Sequence, residues 1–203
     1  MSLVRCYVIF NANAGTALSL SLTEKSLAER LRAHGLEPTI DDDEDIALSE
    51  RIERALASDA EVLVAAGGDG TITALSNAMV DTDRVLGILP LGTVNALAKD
   101  LTIPLDLDQA IDVLATGTRQ KIDMGEVDGR FFLHKVVIGL IPALAAGRER
   151  IRGRAQLAAK LGFLRYFFRR ITRARRFALA IDRGDGRARV ERVQAVAVAS
   201  NAY

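Results

Sequence analysis

Val62-Leu63-Val64-Ala65-Ala66-Gly67-Gly68-Asp69-Gly70-Thr71 joins five apolar residues to three glycines around one carboxylate, and a helix-compatible segment follows over residues 72–80. The apolar run reads as a strand buried on both faces. Glycine lets backbone approach a ligand closely, and the first turn of the following helix presents unpaired N–H groups above the turn. Such a junction suits phosphate. The same residues also read as a plain strand-to-helix turn in which Asp69 only caps the helix, so the rest of the chain has to decide.

Upstream, Val4–Phe10 is a second apolar run, broken only by Arg5, and it ends in the small-residue loop Asn11-Ala12-Asn13-Ala14-Gly15-Thr16. Leu20, Leu27, Ala28 and Leu31 recur at helical spacing up to His34-Gly35, where glycine can end the helix and His34 faces solvent. Residues 36–40 read as a strand. Ile46, Ile52, Ala55 and Leu56 give the next helix its apolar face, and the acidic block Asp41-Asp42-Asp43-Glu44-Asp45 is placed at its N-terminus. Acidic side chains there complement the helix dipole, which favours capping and solubility over metal binding.

Downstream, residues 85–89 form a fourth strand that runs into Pro90-Leu91-Gly92-Thr93-Val94-Asn95. Helices follow around Ala96, Leu97, Ala98 and Leu101, and over residues 106–115. Strands alternating with helices predict an α/β domain over residues 1–117, an open and mostly parallel sheet with flanking helices. Ligands of such sheets sit beyond the carboxyl ends of the strands. Three loops meet that edge, and Thr71, Thr93 and Asn95 offer it hydroxyl and amide donors, a setting suited to a nucleoside triphosphate.

The pattern changes after Gly117. Strands are predicted over residues 122–127, 130–138, 177–181 and 190–199, with Asp128-Gly129 and Gly184-Asp185-Gly186 as turns, so residues 118–203 read as part of a β-rich second domain. Within it Leu157, Leu161, Leu164, Phe168 and Ile171 fall on one face of a helix near residues 155–173, while Lys160, Arg165, Arg169, Arg170 and Arg173 lie largely elsewhere on its surface. A helix of this kind packs its apolar stripe on the sheet beneath a solvated basic side, or meets anionic lipid headgroups.

Composition narrows the class. Of 203 residues, 49% are apolar and 26% charged, which excludes a disordered chain. Cys6, the single cysteine, excludes an internal disulfide or a cysteine-built zinc cage and fits a reducing, cytoplasmic setting. Residues 136–147, the longest uncharged run, contain Pro142 and fall well short of the roughly 20 residues of a membrane span. No signal-peptide pattern, nucleic-acid recognition motif, Gly-x-x-x-x-Gly-Lys-Ser/Thr, Gly-x-Gly-x-x-Gly, His-Glu-x-x-His or Gly-x-Ser-x-Gly occurs. His134, inside a strand-like run, reads as structural.

Gly67-Gly68-Asp69-Gly70-Thr71 together with Pro90-Leu91-Gly92-Thr93-Val94-Asn95-Ala96-Leu97-Ala98 resembles the two signature motifs of the diacylglycerol kinase catalytic-domain family, which includes bacterial lipid kinases and sphingosine kinases. Residues 123–139 and 162–177 are similar to the family's first hairpin and later helix, so the resemblance covers essentially the whole chain. It implies an α/β nucleotide domain of the NAD kinase/phosphofructokinase type, a β-rich domain on the lipid side, and ATP- and Mg²⁺-dependent phosphorylation of a lipid hydroxyl. It further implies that Gly67, Gly68, Asp69, Gly70, Thr71, Ile72 and Thr73 hold phosphates, with Asn11, Gly15, Thr16, Gly92, Thr93 and Asn95 lining the same pocket. Asp69 is then the catalytic residue, organising Mg²⁺ or orienting the γ-phosphoryl group. Arg165, Arg169 and Arg170 would touch the membrane from its cytoplasmic side.

Two departures stand beside the resemblance. The first loop has Ala12 where the family usually places proline, and it lacks the basic residues that often follow Gly15. Family members also run well beyond the strand like residues 193–200, with an acidic general base in that later part, so the chain is expected to be truncated, with strand edges open to self-association. Two other readings share these residues: an NAD kinase, which has the same Gly-Gly-Asp-Gly-Thr loop, and a nucleotide-binding or membrane-associated module without kinase activity.

Overall fold

Alternate residues of the first strand face two different cores. In the computed structural model, which describes residues 4–139, 176–182, 184 and 188–200, β1 (Val4–Phe10), β2 (Leu36–Asp41), β3 (Val62–Gly67) and β4 (Val85–Pro90) form one parallel sheet in the order β2-β1-β3-β4. Cys6, Val8 and Phe10 point to one side, where Ala17 of α1 (Gly15–Ser19), Leu27 and Leu31 of α2 (Glu24–Ala33), and Ala110 and Ile111 of α6 (Leu107–Thr116) cover them. Ile9, Leu63 and Ala65 point to the other, against Ile52 of α3 (Leu48–Ala57), Leu75 of α4 (Asp69–Ala78) and Leu97 of α5 (Ala96–Asp100). Side-chain period two thus makes β3 apolar throughout and leaves β1 apolar apart from the exposed Arg5 and the half-buried Tyr7, and each fully buried aliphatic side chain contributes about 1.5–3 kcal/mol.

The expected α/β class is therefore what the chain adopts, with local differences. Leu20 does not share a helix face with Leu27: α1 ends at Ser19, Leu20 is exposed, and Ser21 takes φ 49°. The chain restarts at Thr23, which forms a capping box with Ser26. The acidic block does not cap α3 either. Asp41 ends β2 as a buried residue, the N-cap of α3 is Ala47, and the acid of its first turn is Glu50.

The described chain divides into two compact units, residues 1–134 with 200–203, and residues 135–199. The first unit therefore continues past Gly117, because Ile122, Met124 and Leu133 pack on the core beneath α4 and α5. Within it β5 (Gly125–Val127) and β6 (Arg130–Phe132) form an antiparallel hairpin, turned by Asp128 at φ 50° and Gly129 at φ 72°. In the second unit β7 (Lys135–Gly139) pairs antiparallel with β10 (Ala195–Ala199), and β8 (Phe177–Ile181) with β9 (Arg189–Val193). The two long strands predicted over 130–138 and 190–199 are each interrupted, at Leu133-His134 and at Gln194. The basic helix predicted near 155–173, with Arg165, Arg169 and Arg170, lies outside the described residues. Among those described, no helix is long and apolar enough to cross a membrane.

Candidate nucleotide site

Strand order places a topological switch between β1 and β3: the chain steps outward to β2 on one side and to β4 on the other. Crevices at such points, beyond the carboxyl ends of the strands, receive ligands in open α/β sheets. Here the ends are level, since Phe10 pairs with Ala66 and Gly67 with Pro90. Hydrogen bonds then continue past the strands. Asn11 N–H donates to Ala66 O at 2.9 Å, Leu91 N–H to Gly67 O at 2.9 Å, and Thr16 N–H to Leu91 O at 2.8 Å. The three loops expected to share one edge are thus tied to one another.

Glycine is required where these loops touch. A Cβ on Gly92 would stand 2.5 Å from Gly68 Cα and 2.7 Å from Asn95 Oδ1; one on Gly67 would stand 2.6 Å from Thr71 Oγ1, and one on Gly15 would stand 2.9 Å from Thr93 Oγ1. Gly92→Ala is accordingly expected to destabilise by about 1–3 kcal/mol through overpacking, whereas Gly70→Ala, which meets open space, is expected to stay within about 0.5 kcal/mol of the parent. Urea unfolding of the two variants measures the difference.

Gly68 is the N-cap of α4, so the N–H groups of Asp69, Gly70 and Thr71 have no partner within the helix. Ile72 departs from the expected nucleotide-binding set: its N–H donates to Gly68 O at 3.1 Å and its side chain is 1% exposed in the core. Thr73 is exposed on the same turn. Asp69 does cap a helix, but not the one it begins. Its Oδ1 accepts from Ala96 N–H at 2.7 Å and Leu97 N–H at 3.4 Å, at the start of α5. The two signature loops are joined through this carboxylate.

Asn95 is not the amide donor expected from the sequence. It adopts the left-handed region at φ 50° and ψ 51°, and its Nδ2 donates to Gly92 O at 2.8 Å and Pro90 O at 3.2 Å. Both donors hold its own loop. Its Oδ1 is buried with no hydrogen-bond partner among the described residues, leaving an acceptor beside Gly92 and Gly68. Thr93 is exposed, while Thr16 Oγ1 donates to Gly92 O at 3.2 Å.

Sequence reasoning missed a further wall. A pocket of about 260 Å³ is lined by Ile9, Asn11, Asn13, Glu44, Ile46, Leu48, Arg51 and Thr71. Asn13 Nδ2 donates to Glu44 Oε2 at 2.6 Å. Behind them Arg51, 6% exposed, donates from Nε to Asp41 Oδ1 at 2.6 Å and from Nη2 to Phe10 O at 2.9 Å and to Asp41 O. Tyr7 O–H reaches Asp41 Oδ2 at 3.0 Å; burial first, then this bond to a carboxylate, raises the phenol's pKa. The available signal was Arg51 itself, a charge inside the apolar helical stripe of Leu48, Ile52 and Ala55.

Residues 5–127 match the family model of the diacylglycerol kinase catalytic domain. The chain belongs to that family. Among this family's members, a diacylglycerol kinase of Staphylococcus epidermidis is 34% identical over 133 residues, covering 64% of this chain and 42% of the relative. One of Staphylococcus aureus is 39% identical over 84 residues, covering 40% of this chain and 27% of the relative. The chain thus spans less than half the length of these curated relatives. A crystal structure of a diacylglycerol kinase from Bacillus anthracis superposes with a TM-score of 0.68 at 22% identity, covering all of this chain and 66% of that one; it bears on the fold alone.

Proposed function

We propose that this chain carries the nucleotide half of an ATP-dependent lipid kinase that transfers the γ-phosphoryl group to the hydroxyl of a diacylglycerol-like lipid. The observation that carries the reading is the join between the two signature loops, Asp69 Oδ1 on the N–H groups of Ala96 and Leu97, at the switch point of a parallel sheet. Phosphoryl transfer asks chiefly for positioning and charge neutralisation. The free N–H groups of Asp69, Gly70 and Thr71 would take phosphate oxygens, with Asn11, Gly15, Thr16, Gly67, Gly68, Thr73, Gly92 and Thr93 around them. The apolar and polar lining by Ile9, Ile46, Asn13 and Glu44 suits the nucleoside end.

ATP supplies the phosphoryl group. The helix N–H groups of Asp69, Gly70 and Thr71 without partners in α4, and the open space at Gly70, are features of a site that fits it. For Mg²⁺ the fit is narrower: among the described residues no three acidic, histidine or cysteine side chains gather. Asp69 can still offer Oδ2, since Mg²⁺ binds through one or two carboxylates together with substrate phosphates. Of the residues 118–203 expected to form a lipid-side domain, 118–134 pack with the first unit; we assign the chain beyond His134 to the lipid side on the family resemblance, and Arg165, Arg169 and Arg170 to contact with the cytoplasmic membrane face on the spacing of basic and apolar residues alone.

Full-length protein incubated with labelled ATP, Mg²⁺ and a panel of diacylglycerol, sphingoid base and NAD is expected to label lipid. Label in NAD alone would overturn the lipid assignment in favour of the NAD kinase reading. With the lipid presented in anionic vesicles, co-sedimentation is expected to fall when the three arginines are changed to Glu, and unchanged sedimentation removes them from the contact.

A further inference from the structure

Helix α5 has five residues, too few to hold its own position, since isolated helices below about 12 residues are marginal in water. Its two ends are gripped from outside. Asp69 holds the N-terminal N–H groups of Ala96 and Leu97. At the other end Asp100, the last residue of α5, places a carboxylate on the negative pole of the helix dipole, an arrangement that calls for a cation or donor. His134 supplies it. Asp100 Oδ2 and His134 Nδ1 are in direct contact, an ion pair when the imidazole is protonated, and neither buried atom has another hydrogen-bond partner among the described residues.

His134 lies just beyond β6, and β6 is fastened to α4. Asn77, in the last turn of α4, donates from Nδ2 to Phe131 O at 3.1 Å and accepts from Phe131 N–H at Oδ1, also at 3.1 Å, as a neighbouring strand would. Leu133, 4% exposed, belongs to the same core as Ile72 and Leu75 of α4 and Leu97 and Ala98 of α5. Ser200 Oγ donates to Leu133 O and Ser200 N–H to His134 O, fixing the backbone that carries the histidine. The connections close a ring that runs from Asp69 along α4 to Asn77, through Phe131 to His134, across to Asp100, and back along α5 to Asp69.

We propose that residues 131–134 act as a brace between the helices that bear the two signature motifs, with His134 as a positioning residue that aims the Asp69 carboxylate through α5. The aiming role rests on the kinase reading; the brace itself does not. A plain core contact would need Leu133 alone, whereas the ring has directed polar contacts at both helices.

The test uses amide hydrogen exchange in the nucleotide-free protein and steady-state kinetics of the same variants. His134→Ala and Asp100→Asn are each expected to speed exchange at Ala96 and Leu97 by about tenfold relative to the amides of β1 and β3, and the double variant to add little, as for partners in one contact. His134→Asn, whose Nδ2 can stand where the imidazole Nδ1 stands, is expected to restore most of the protection, and it carries the test if the alanine variant does not fold. In turnover, His134→Ala is expected to lower kcat about tenfold with the KM for ATP within twofold, since positioning of a catalytic group rather than nucleotide binding is lost. Unchanged exchange at Ala96 and Leu97, or equal loosening of all sheet amides, overturns the brace. A parent protein that transfers no phosphate to lipid overturns the kinase reading instead, and the exchange pattern still decides the brace.

Discussion

Asp69→Asn is expected to lower phosphoryl transfer to lipid by about 10²–10³-fold while leaving the fold intact, the range seen when one preorganised group facing developing charge is removed. The two oxygens of this side chain divide its roles. Oδ1 caps α5 by accepting from Ala96 and Leu97 N–H, and an asparagine oxygen accepts those bonds as well as aspartate does. Only the charge and the second oxygen are lost. Asp69→Ala removes the cap too and is expected to cost about 1 kcal/mol of stability in addition. Turnover with labelled ATP, set beside urea unfolding, separates the two roles, and wild-type turnover in the Asn variant would confine Asp69 to capping.

The largest expected stability effect lies at Arg51. Its side chain and that of Asp41 are 7% and 5% exposed, so Arg51→Ala leaves a buried carboxylate without its cation, a loss of about 3–5 kcal/mol. Replacing both partners, Arg51→Met with Asp41→Leu, is expected to recover most of that loss, because a buried pair exchanged for apolar groups is often neutral. Urea unfolding of the single and double variants measures the coupling. Arg51 also lines the pocket and holds Phe10 O, between the lining residues Ile9 and Asn11. Nucleotide affinity in the double variant should therefore stay below that of the parent even where stability returns, and full recovery of both would reduce Arg51 to a structural ion pair.

Much of the first unit was legible because burial on both faces writes itself as continuous apolar runs: β1 and β3 match their predicted spans to within one residue. The glycines were legible for a related reason, since only a residue without Cβ fits where Gly92 meets Gly68. Polar burial was harder to read. Asp41 sits in a row of five acids, and nothing local marks the first as buried and the rest as exposed; that depends on Arg51 arriving from the next helix. The break at Leu133-His134 was hidden likewise, because a β-like run gives no sign that Asp100, far earlier in the chain, waits for the histidine. Asn95 looked like a free donor until its backbone turned left-handed and both amide hydrogens closed on its own loop.

Continuation of the sheet ladder past β1 and β4 has a thermodynamic consequence. Asn11 and Leu91 carry backbone rungs just past β1 and β4, and Thr16 N–H ties the first loop to Leu91, so the floor of the proposed site cannot loosen without unpairing this edge of the sheet. A floor of this kind is ordered before any ligand arrives, and association then avoids the entropy cost of fixing a mobile loop. On the proposed kinase reading, affinity there is set by how well a phosphate chain matches a fixed row of donors, so the edge would gauge phosphate spacing rather than adapt to it.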